Sequence, residues 1–244
     1  MDYRRYEFTW KERMVLFLEY LLLDGAVSFL FYRSWIPFVL FLPGFLLFLK
    51  LKREEQRKKR IRRLGSQFLT GMQAVSNALA AGYSVENAFG EALKDLQKAY
   101  GNNLIVTEFS VIVTQLSLGR TLESLLEELA ARSGEEDIKS FAEVFAAAKR
   151  SGGDLISIIR NTVSSISQKE ETRQEIQVCI AAKKLEQNVM SVVPLFILAY
   201  VGAASPGFLD VMYHNVTGIA IMSICLVIYF LAWMLGRRIV EIEV

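Results

Sequence analysis

The residues that could do chemistry are mainly acids, and two of them lie in an unusual environment. Glu19 and Asp24 interrupt an apolar stretch near the N-terminus. An acid inside a membrane-spanning helix is costly and often marks a functional site. The other interpretation, which we favour, is that these two acids face a neighbouring helix or lie near the membrane interface. A second set of acids is close together in the sequence and could bind a cation: Glu127, Glu128, Glu135, Glu136 and Asp137. Acids near helix ends more often interact with the helix dipole, and we favour that interpretation.

Other catalytic chemistry has little support in the sequence. The chain has one histidine, His214, and two cysteines far apart, Cys179 and Cys225. This leaves little room for a zinc site, a disulfide framework or a histidine-activated nucleophile. The glycine-rich phosphate loops and metalloprotease motifs that carry a recognisable mechanism do not occur. We therefore expect a protein that is not an enzyme and that uses no metal ion or cofactor.

A basic run follows an apolar stretch directly. Nine of the fourteen residues from 50 to 63 are Lys or Arg. The run lacks interleaved aromatic residues, so nucleic acid is not the expected partner; cations beside a span bind anionic lipid headgroups at about 1 kcal/mol each. The candidate headgroup contacts are the eight cations after Lys50, namely Lys52, Arg53, Arg57, Lys58, Lys59, Arg60, Arg62 and Arg63.

These residues are distributed among segments of very different polarity. The chain of 244 residues is 52% apolar, yet 22% of it is charged. Residues 35–51, 189–208 and 216–236 are almost wholly apolar, and each has about the length that crosses a hydrocarbon core of roughly 30 Å. Residues 14–32, which contain the two acids, form a fourth candidate. The sequence predicts four transmembrane helices.

The distribution of cations predicts the topology, because Lys and Arg are retained on the cytoplasmic side of a membrane. The basic run lies after the second span, and Arg237 and Arg238 follow the fourth. The connector at 205–215 has no Lys or Arg and is expected outside. Arg33 lies in the first hairpin, which this topology places outside, so it is the only cation that disagrees with the rule. Both termini and the region between the second and third spans are predicted to be cytoplasmic.

That region has apolar residues at helical spacing. One stripe is Phe68, Met72, Val75 and Leu79, and five more follow before residue 167. Glycine for a helix end and a polar residue for the next helix start separate the stripes. These helix-turn motifs contain Gly82 and Ser84, Gly119 and Thr121, and Gly152 and Gly153. Short turns favour antiparallel neighbours, so we predict a six-helix bundle.

The expected fold class is therefore all-α. The predicted segments are a cytoplasmic N-terminus at 1–13, a hairpin of two spans at 14–51 and a basic juxtamembrane segment at 52–66. A helical bundle at 67–187, two further spans at 188–236 and a cytoplasmic tail at 237–244 follow. No helix-breaking residue occurs between Asp154 and the third span, so we expect the last bundle helix to continue into the membrane.

Three motifs in this region resemble the signatures of the type II secretion F domain family. Residues 80–89, AAGYSVENAF, are similar to its first turn motif, and residues 118–130, LGRTLESLLEELA, are similar to the second. Residues 149–155, KRSGGDL, resemble the third, in which paired glycines precede a helix that enters the membrane. Pro194 in the following span also fits. The resemblance extends from about residue 65 to the end of the chain.

The resemblance implies a platform protein of the bacterial inner membrane. Platforms of type II secretion systems and type IV pili usually carry two F domains. One domain with two spans on either side is similar to the platform subunits of Tad/Flp pili, more the B-type than the C-type. The implied partners are a cytoplasmic secretion ATPase, pilin subunits in the bilayer, and either a second single-domain subunit or a second copy of the chain.

Two questions stay open at this point. The first is whether the chain is instead a multipass transporter or membrane enzyme that uses Glu19 and Asp24 as intramembrane acid sites. The second is how the bundle associates with a second copy. Alanines 146, 147 and 148 lie beside Phe141 and Phe145 and would permit close approach on more than one helix face. The same pattern fits a helix at the centre of its own bundle.

Overall fold

A computed structural model describes residues 3, 7–151, 154–205, 207–210, 212–213 and 215–240. Within these ranges the regular structure is helical and contains no strand, which confirms the predicted all-α membrane protein. The helices are α1 Trp10–Tyr32, α2 Trp35–Phe41, α3 Phe45–Ala80, α4 Val85–Tyr100, α5 Leu104–Ser117, α6 Leu122–Ser133, α7 Glu136–Ser151, α8 Leu155–Ala204 and α9 Val216–Val240. A 3₁₀ turn, Leu42–Gly44, lies between α2 and α3.

The chain divides into two compact units. The bundle unit comprises the N-terminal residues up to Glu7 together with Arg53–Thr172, and the span unit comprises Phe8–Lys52 and Arg173–Val244. Helices α3 and α8 each contribute residues to both units. The bundle unit therefore consists of α4 to α7, the second part of α3 and the first part of α8, which is the six-helix bundle that the apolar stripes predict.

The core of the bundle unit consists of the predicted stripes. Each of the six helical segments contributes buried apolar side chains, and these form one continuous cluster. Helix α4 packs against α5, and α6 packs against α7. Burial of a whole leucine, isoleucine or phenylalanine side chain contributes about 1.5–3 kcal/mol, so this core is the main source of stability. Among its members are Phe68, Met72, Leu96, Phe109, Leu126, Leu129, Ile138, Phe141 and Ile159.

Aromatic rings connect four of these helices. Phe68 of α3 lies with its ring centroid 6.4 Å from that of Phe109 and 5.7 Å from that of Phe141. Phe89 of α4 stacks on Phe109 at 5.6 Å. A Cβ at Gly71 would lie 2.6 Å from Cζ of Phe109, so glycine allows α3 and α5 to approach closely there.

Four helical stretches of the described chain are long and apolar enough to cross a membrane, and each has residues in the span unit. They are Trp10–Tyr32, Trp35–Ala80, Leu155–Ala204 and Val216–Ile239. The second stretch is interrupted near its start, because Pro43 has no N–H and its ring disfavours a continuing α-helix. Helix α2 ends at Phe41 and the 3₁₀ turn precedes α3. Helix α8 is continuous over 50 residues and contains Pro194.

Candidate functional site

Two of the predicted glycine turns close in the same way. After α3, the Tyr83 N–H donates to the Ala78 carbonyl and the Gly82 N–H to the Leu79 carbonyl. After α5, Arg120 and Gly119 repeat this pattern with the carbonyls of residues 115 and 116. Gly82 has φ of +92° and Gly119 of +85°. This left-handed conformation costs other residues about 1–2 kcal/mol, which explains glycine at both positions.

The polar residues of these turns differ from one another. Ser84 caps α4, because its hydroxyl oxygen accepts the Asn87 N–H at 3.4 Å. Thr121 occupies the corresponding position before α6, but its side chain makes no capping hydrogen bond. Instead the Ser124 hydroxyl donates to the Thr121 carbonyl at 2.8 Å. Gly152, Gly153 and His214 lie outside the described residues.

The basic run is helical throughout, as part of α3, and acids of the same helix neutralise some of its charge. Arg57 pairs with Glu54, and Lys59 pairs with Glu55 at 2.8 Å. The Arg57 guanidinium holds the pKa of the Glu54 carboxyl below its usual value, mainly through their hydrogen bond. Such exposed pairs contribute about 0–1 kcal/mol each, so their main effect is on the charge that the helix presents.

The remaining cations of the run have different environments. Arg53, Lys58, Arg62 and Arg63 are exposed, whereas Lys52 and Arg60 are half-buried. The Lys52 ammonium lies 3.9 Å from the Glu19 carboxylate and 5.7 Å from the ring centroid of Phe48. Arg60 lies 5.2 Å from the ring centroid of Tyr3. The eight predicted headgroup contacts are therefore not one uniform surface.

The two predicted intramembrane acids are separated. Glu19 is exposed and lies beside Lys52, whereas Asp24 is only 6% exposed. The Ser28 hydroxyl donates to Asp24 Oδ1 at 3.4 Å, and Asp24 Oδ2 is buried without a hydrogen-bond partner among the described residues. Polar side chains at a spacing of four residues continue along α1, where the Tyr20 hydroxyl donates to the Phe41 carbonyl.

At the other end of α1, two further contacts tie its last turn to later parts of the span unit. The Tyr32 and Ser223 hydroxyls hydrogen-bond at 2.8 Å. Arg33 pairs with Asp210 at 3.1 Å. The connector that follows α1 and the connector that precedes α9 therefore contact one another.

A buried polar cluster in the bundle unit was not predicted from the sequence. Glu108 of α5 is 3% exposed, and both its oxygens accept from Arg132 of α6, at 3.1 and 2.9 Å. Oε1 also accepts the Tyr3 hydroxyl at 2.6 Å. The Tyr3 N–H donates to the Arg132 carbonyl at 3.1 Å, and Tyr3 is 1% exposed. A charged pair at this depth keeps its stability only when its hydrogen bonds are satisfied.

Tyr3 remains protonated in this cluster. Burial, followed by the hydrogen bond to Glu108 and the charge of that carboxylate, raises the pKa of the Tyr3 hydroxyl far above its ordinary value. The cations Arg132 and Arg60 lower the pKa, but their effects are smaller. The phenol therefore acts as a hydrogen-bond donor at physiological pH.

The cluster of acids around residues 127–137 is used within the bundle. Glu128 lies 3.2 Å from Arg120, and Asp137 lies 2.6 Å from the Lys169 ammonium of α8. Within the part of the chain that the structure describes, no three His, Cys, Asp or Glu side chains are grouped so that they could hold a metal ion. Glu128 and Asp137 thus have protein cations as partners.

A family model for the type II secretion system (T2SS) protein F matches residues 72–203. This segment is more than half of the chain. The chain belongs to the T2SS protein F family. No curated protein and no solved structure matches the chain.

The matched segment starts in α3 and ends one residue before the end of α8. It contains both glycine turns, as well as Glu108 and Arg132. Members of the T2SS protein F family are platform components of the inner membrane, not known enzymes. Tyr3, Arg60 and the acids of α1 lie outside the segment, so the family match does not explain them.

The alanines of α7 have their neighbours within the bundle of this T2SS F protein. Ala146 and Ala148 are 8% and 5% exposed, and Phe141 and Phe145 are buried beside them. Ala147 is exposed. The buried alanines therefore belong to the core of the chain's own bundle, and only Ala147 remains available to a partner.

Proposed function

We propose that the chain is a platform subunit of a Tad/Flp pilus-like or type II secretion machine, and that it couples a secretion ATPase to the extraction and assembly of pilin. The observation that carries this proposal is the family match over a helical bundle that is flanked by apolar helices on both sides. A platform needs one part that receives force and another that is anchored in the bilayer. The bundle unit and the span unit are suited to these two tasks.

The proposal includes a multipass topology with the bundle unit in the cytoplasm. The cations of α3 and of the end of α9 favour this orientation. Arg33, the cation that disagrees, is paired with Asp210, and pairing reduces the cost of an outside location. Arg237 lies 5.1 Å from the Trp233 ring centroid, an arrangement typical of a membrane interface, where tryptophan and basic residues are enriched.

Continuity of helices supports a role in force transmission. The division between the units falls within α3, at Lys52 and Arg53, and within α8, at Thr172 and Arg173. Neither position has a glycine or proline. Unlike a flexible linker, a helix has a fixed rise of 1.5 Å per residue. Each of these two helices is therefore able to pass a displacement along its axis.

A single F domain suggests association with a second subunit, either another single-domain protein or a second copy. The burial of Ala146 and Ala148 removes the argument that their faces are free for this purpose. The exposed residues of α7 remain candidates, among them Val144 at 39% exposed and Ala147.

The alternative of a transporter or membrane enzyme is less well supported. It requires Glu19 and Asp24 to act on a common site with polar groups of other spans. The two residues are five positions apart, which is about 140° around a helix. Ser223 bonds Tyr32, and the Ser191 hydroxyl donates to the Gln187 carbonyl of its own helix. The described polar groups thus do not converge on the two acids.

Crosslinking in cells tests the proposed function. A photoreactive amino acid at exposed Ser140 of α7, or at other exposed positions of the bundle, should crosslink to the cognate secretion ATPase. The same amino acid at Asp210 is the matched control and should not. Failure of every exposed bundle position to crosslink, with the protein correctly inserted, would contradict the coupling role.

Cysteine labelling tests the topology separately. In a chain with Cys179 and Cys225 replaced, a cysteine at Ser140 should resist a membrane-impermeant thiol reagent in intact cells. A cysteine at Asp210 should react with it. The reverse pattern would refute the orientation while leaving the family assignment intact.

A further inference from the structure

We propose that Glu108, Arg132 and Arg60 form a tyrosine-binding pocket in the bundle unit, and that Tyr3 of the chain's own N-terminal segment is its detachable occupant. The pocket lies within one unit and its description does not depend on the platform function. Its ligand class is a phenol on a peptide segment. The contacts of Tyr3 carry the proposal.

The contacts of Tyr3 are specific to a tyrosine residue. Oε1 of Glu108 accepts the phenol O–H at 2.6 Å. The guanidinium of Arg60 lies over the ring face, which favours an aromatic side chain. The main-chain bond from Tyr3 to the Arg132 carbonyl fixes the peptide backbone. Phenylalanine at position 3 would fill nearly the same volume, but Glu108 would then accept one hydrogen bond fewer.

Glu108 does not depend on Tyr3 for its charged partner. Arg132 already satisfies both oxygens of Glu108 through two hydrogen bonds, so the departure of Tyr3 does not leave an unpaired charge in the core. The Arg132 side chain is 26% exposed, which means that the pocket opens to solvent at its edge. A buried charge that retains its partner costs far less free energy than a buried charge that has lost it.

The occupant is separated from the bundle in sequence. Tyr3 lies 105 residues from Glu108 along the chain, and the segment that carries it leads into α1 of the other unit. Phe8 is assigned to the span unit, only five residues after Tyr3. Tyr3 thus contacts the bundle at this site from outside its six helical segments, and its release would not require any of them to unfold.

Binding of a peptide in trans tests the proposal. The full-length Tyr3→Ala variant in detergent has an empty pocket, and the probe is a fluorescent peptide of residues 1–8, MDYRRYEF. Fluorescence anisotropy should show saturable binding to this variant. Binding to the wild-type chain should be at least about tenfold weaker, because its own Tyr3 competes. A peptide with phenylalanine at position 3 should also bind at least about tenfold more weakly, which corresponds to the loss of one hydrogen bond to a charged group.

Matched variants on α3 identify the site. Arg60→Gln should weaken peptide binding by about two- to fivefold, which corresponds to the loss of one cation–π contact. Arg62→Gln removes an exposed cation of the same helix that is not among the described contacts of Tyr3, and it should leave binding unchanged. Equal effects of the two variants would show that the peptide binds by charge alone and would overturn the proposal.

Hydrogen exchange of α5 and α6 distinguishes a detachable occupant from a permanent core residue. Protection of both helices should persist in Tyr3→Ala and should increase when the peptide is added. If Tyr3→Ala loses protection throughout the bundle and the peptide does not restore it, Tyr3 is an integral part of the core. That result, like the absence of peptide binding to a folded variant, refutes a detachable occupant.

Discussion

The buried pair of Glu108 and Arg132 gives the sharpest test of the bundle structure. The substitution Arg132→Met keeps an unbranched side chain and removes both guanidinium donors from a carboxylate that is 3% exposed. The Tyr3 hydroxyl is then the remaining donor to Glu108 among the described contacts. Removing one member of a buried ion pair costs about 3–5 kcal/mol, because the other charge is left without a partner.

The structure favours the lower end of that range. The Arg132 side chain is 26% exposed, so water can reach part of the space that the guanidinium vacates. We therefore expect the free energy of unfolding to fall by about 3 kcal/mol. Since 1.36 kcal/mol corresponds to a factor of ten, amides of α5 and α6 that exchange through global opening should exchange about 150-fold faster. Hydrogen exchange with mass spectrometry on the full chain in detergent measures this change.

A neighbouring pair provides the control. Arg120 lies 3.2 Å from Glu128, with both side chains more than 40% exposed, so Arg120→Met should cost at most about 1 kcal/mol. A second substitution, Glu108→Leu, should recover much of the stability lost in Arg132→Met, because an apolar side chain needs no donor. If Arg132→Met accelerates exchange less than about fivefold, Glu108 is not a buried charge and the cluster has been interpreted wrongly.

Four further experiments test other features. Tyr3 has a raised pKa, so the stability of the bundle should decline as the pH rises above 10.0, the ordinary pKa of a tyrosine. Denaturant titrations should show a smaller decline for Tyr3→Phe, and equal profiles for the two chains would contradict the burial of the Tyr3 hydroxyl beside Glu108. Asp24→Leu removes a buried oxygen that has no hydrogen-bond partner among the described residues. The free energy of unfolding, measured by titration with a denaturing detergent, should rise by about 1 kcal/mol. A lower free energy of unfolding would show that Asp24 has a structural partner. Reversing the charge of Arg62 and Arg63 together should reduce the anionic lipid retained in native mass spectrometry severalfold, and reversal of two lysines on α4 should not. Ala147→Glu should leave the free energy of unfolding within about 0.5 kcal/mol of that of the wild-type chain. Unfolding of the variant would show that Ala147 is internal. A loss of crosslinked dimer with the fold intact would assign Ala147 to an interface.

Much of the fold follows from the sequence, because helical periodicity and helix ends are local properties. The apolar stripes predict six bundle helices, and the stripe residues of all six are in the core. Gly82 and Gly119 mark helix ends because left-handed backbone conformations favour glycine. The basic run was predicted only as a juxtamembrane segment, although its Lys, Arg and Glu residues are good helix formers. The continuity of α3 through it could have been predicted on that ground.

The cluster around Glu108 could not have been predicted in the same way. Tyr3 stands in a short segment that also contains Tyr6, Phe8 and Trp10, so its residue type does not distinguish it from its neighbours as the buried one. Arg132 and Glu128 are four residues apart and predict an ordinary surface pair, which the structure contains at 3.6 Å. The contact of Arg132 with Glu108 joins two helices, and only the packing of α5 against α6 determines it. Long-range polar contacts of this kind leave no local pattern in a sequence.

The acids of α1 show how spacing could have improved the prediction. Glu19 and Asp24 both interrupt an apolar stretch, but residues five apart do not share a helix face. Tyr20, Asp24 and Ser28 are each four residues apart, and this spacing aligns them along one side of the helix. In the structure Asp24 bonds Ser28 and is buried, while Glu19 lies beside Lys52. Tyr20 and Ser28 are therefore the polar residues that share a helix face with Asp24. A functional role for Asp24 should be sought with these two residues, not with Glu19.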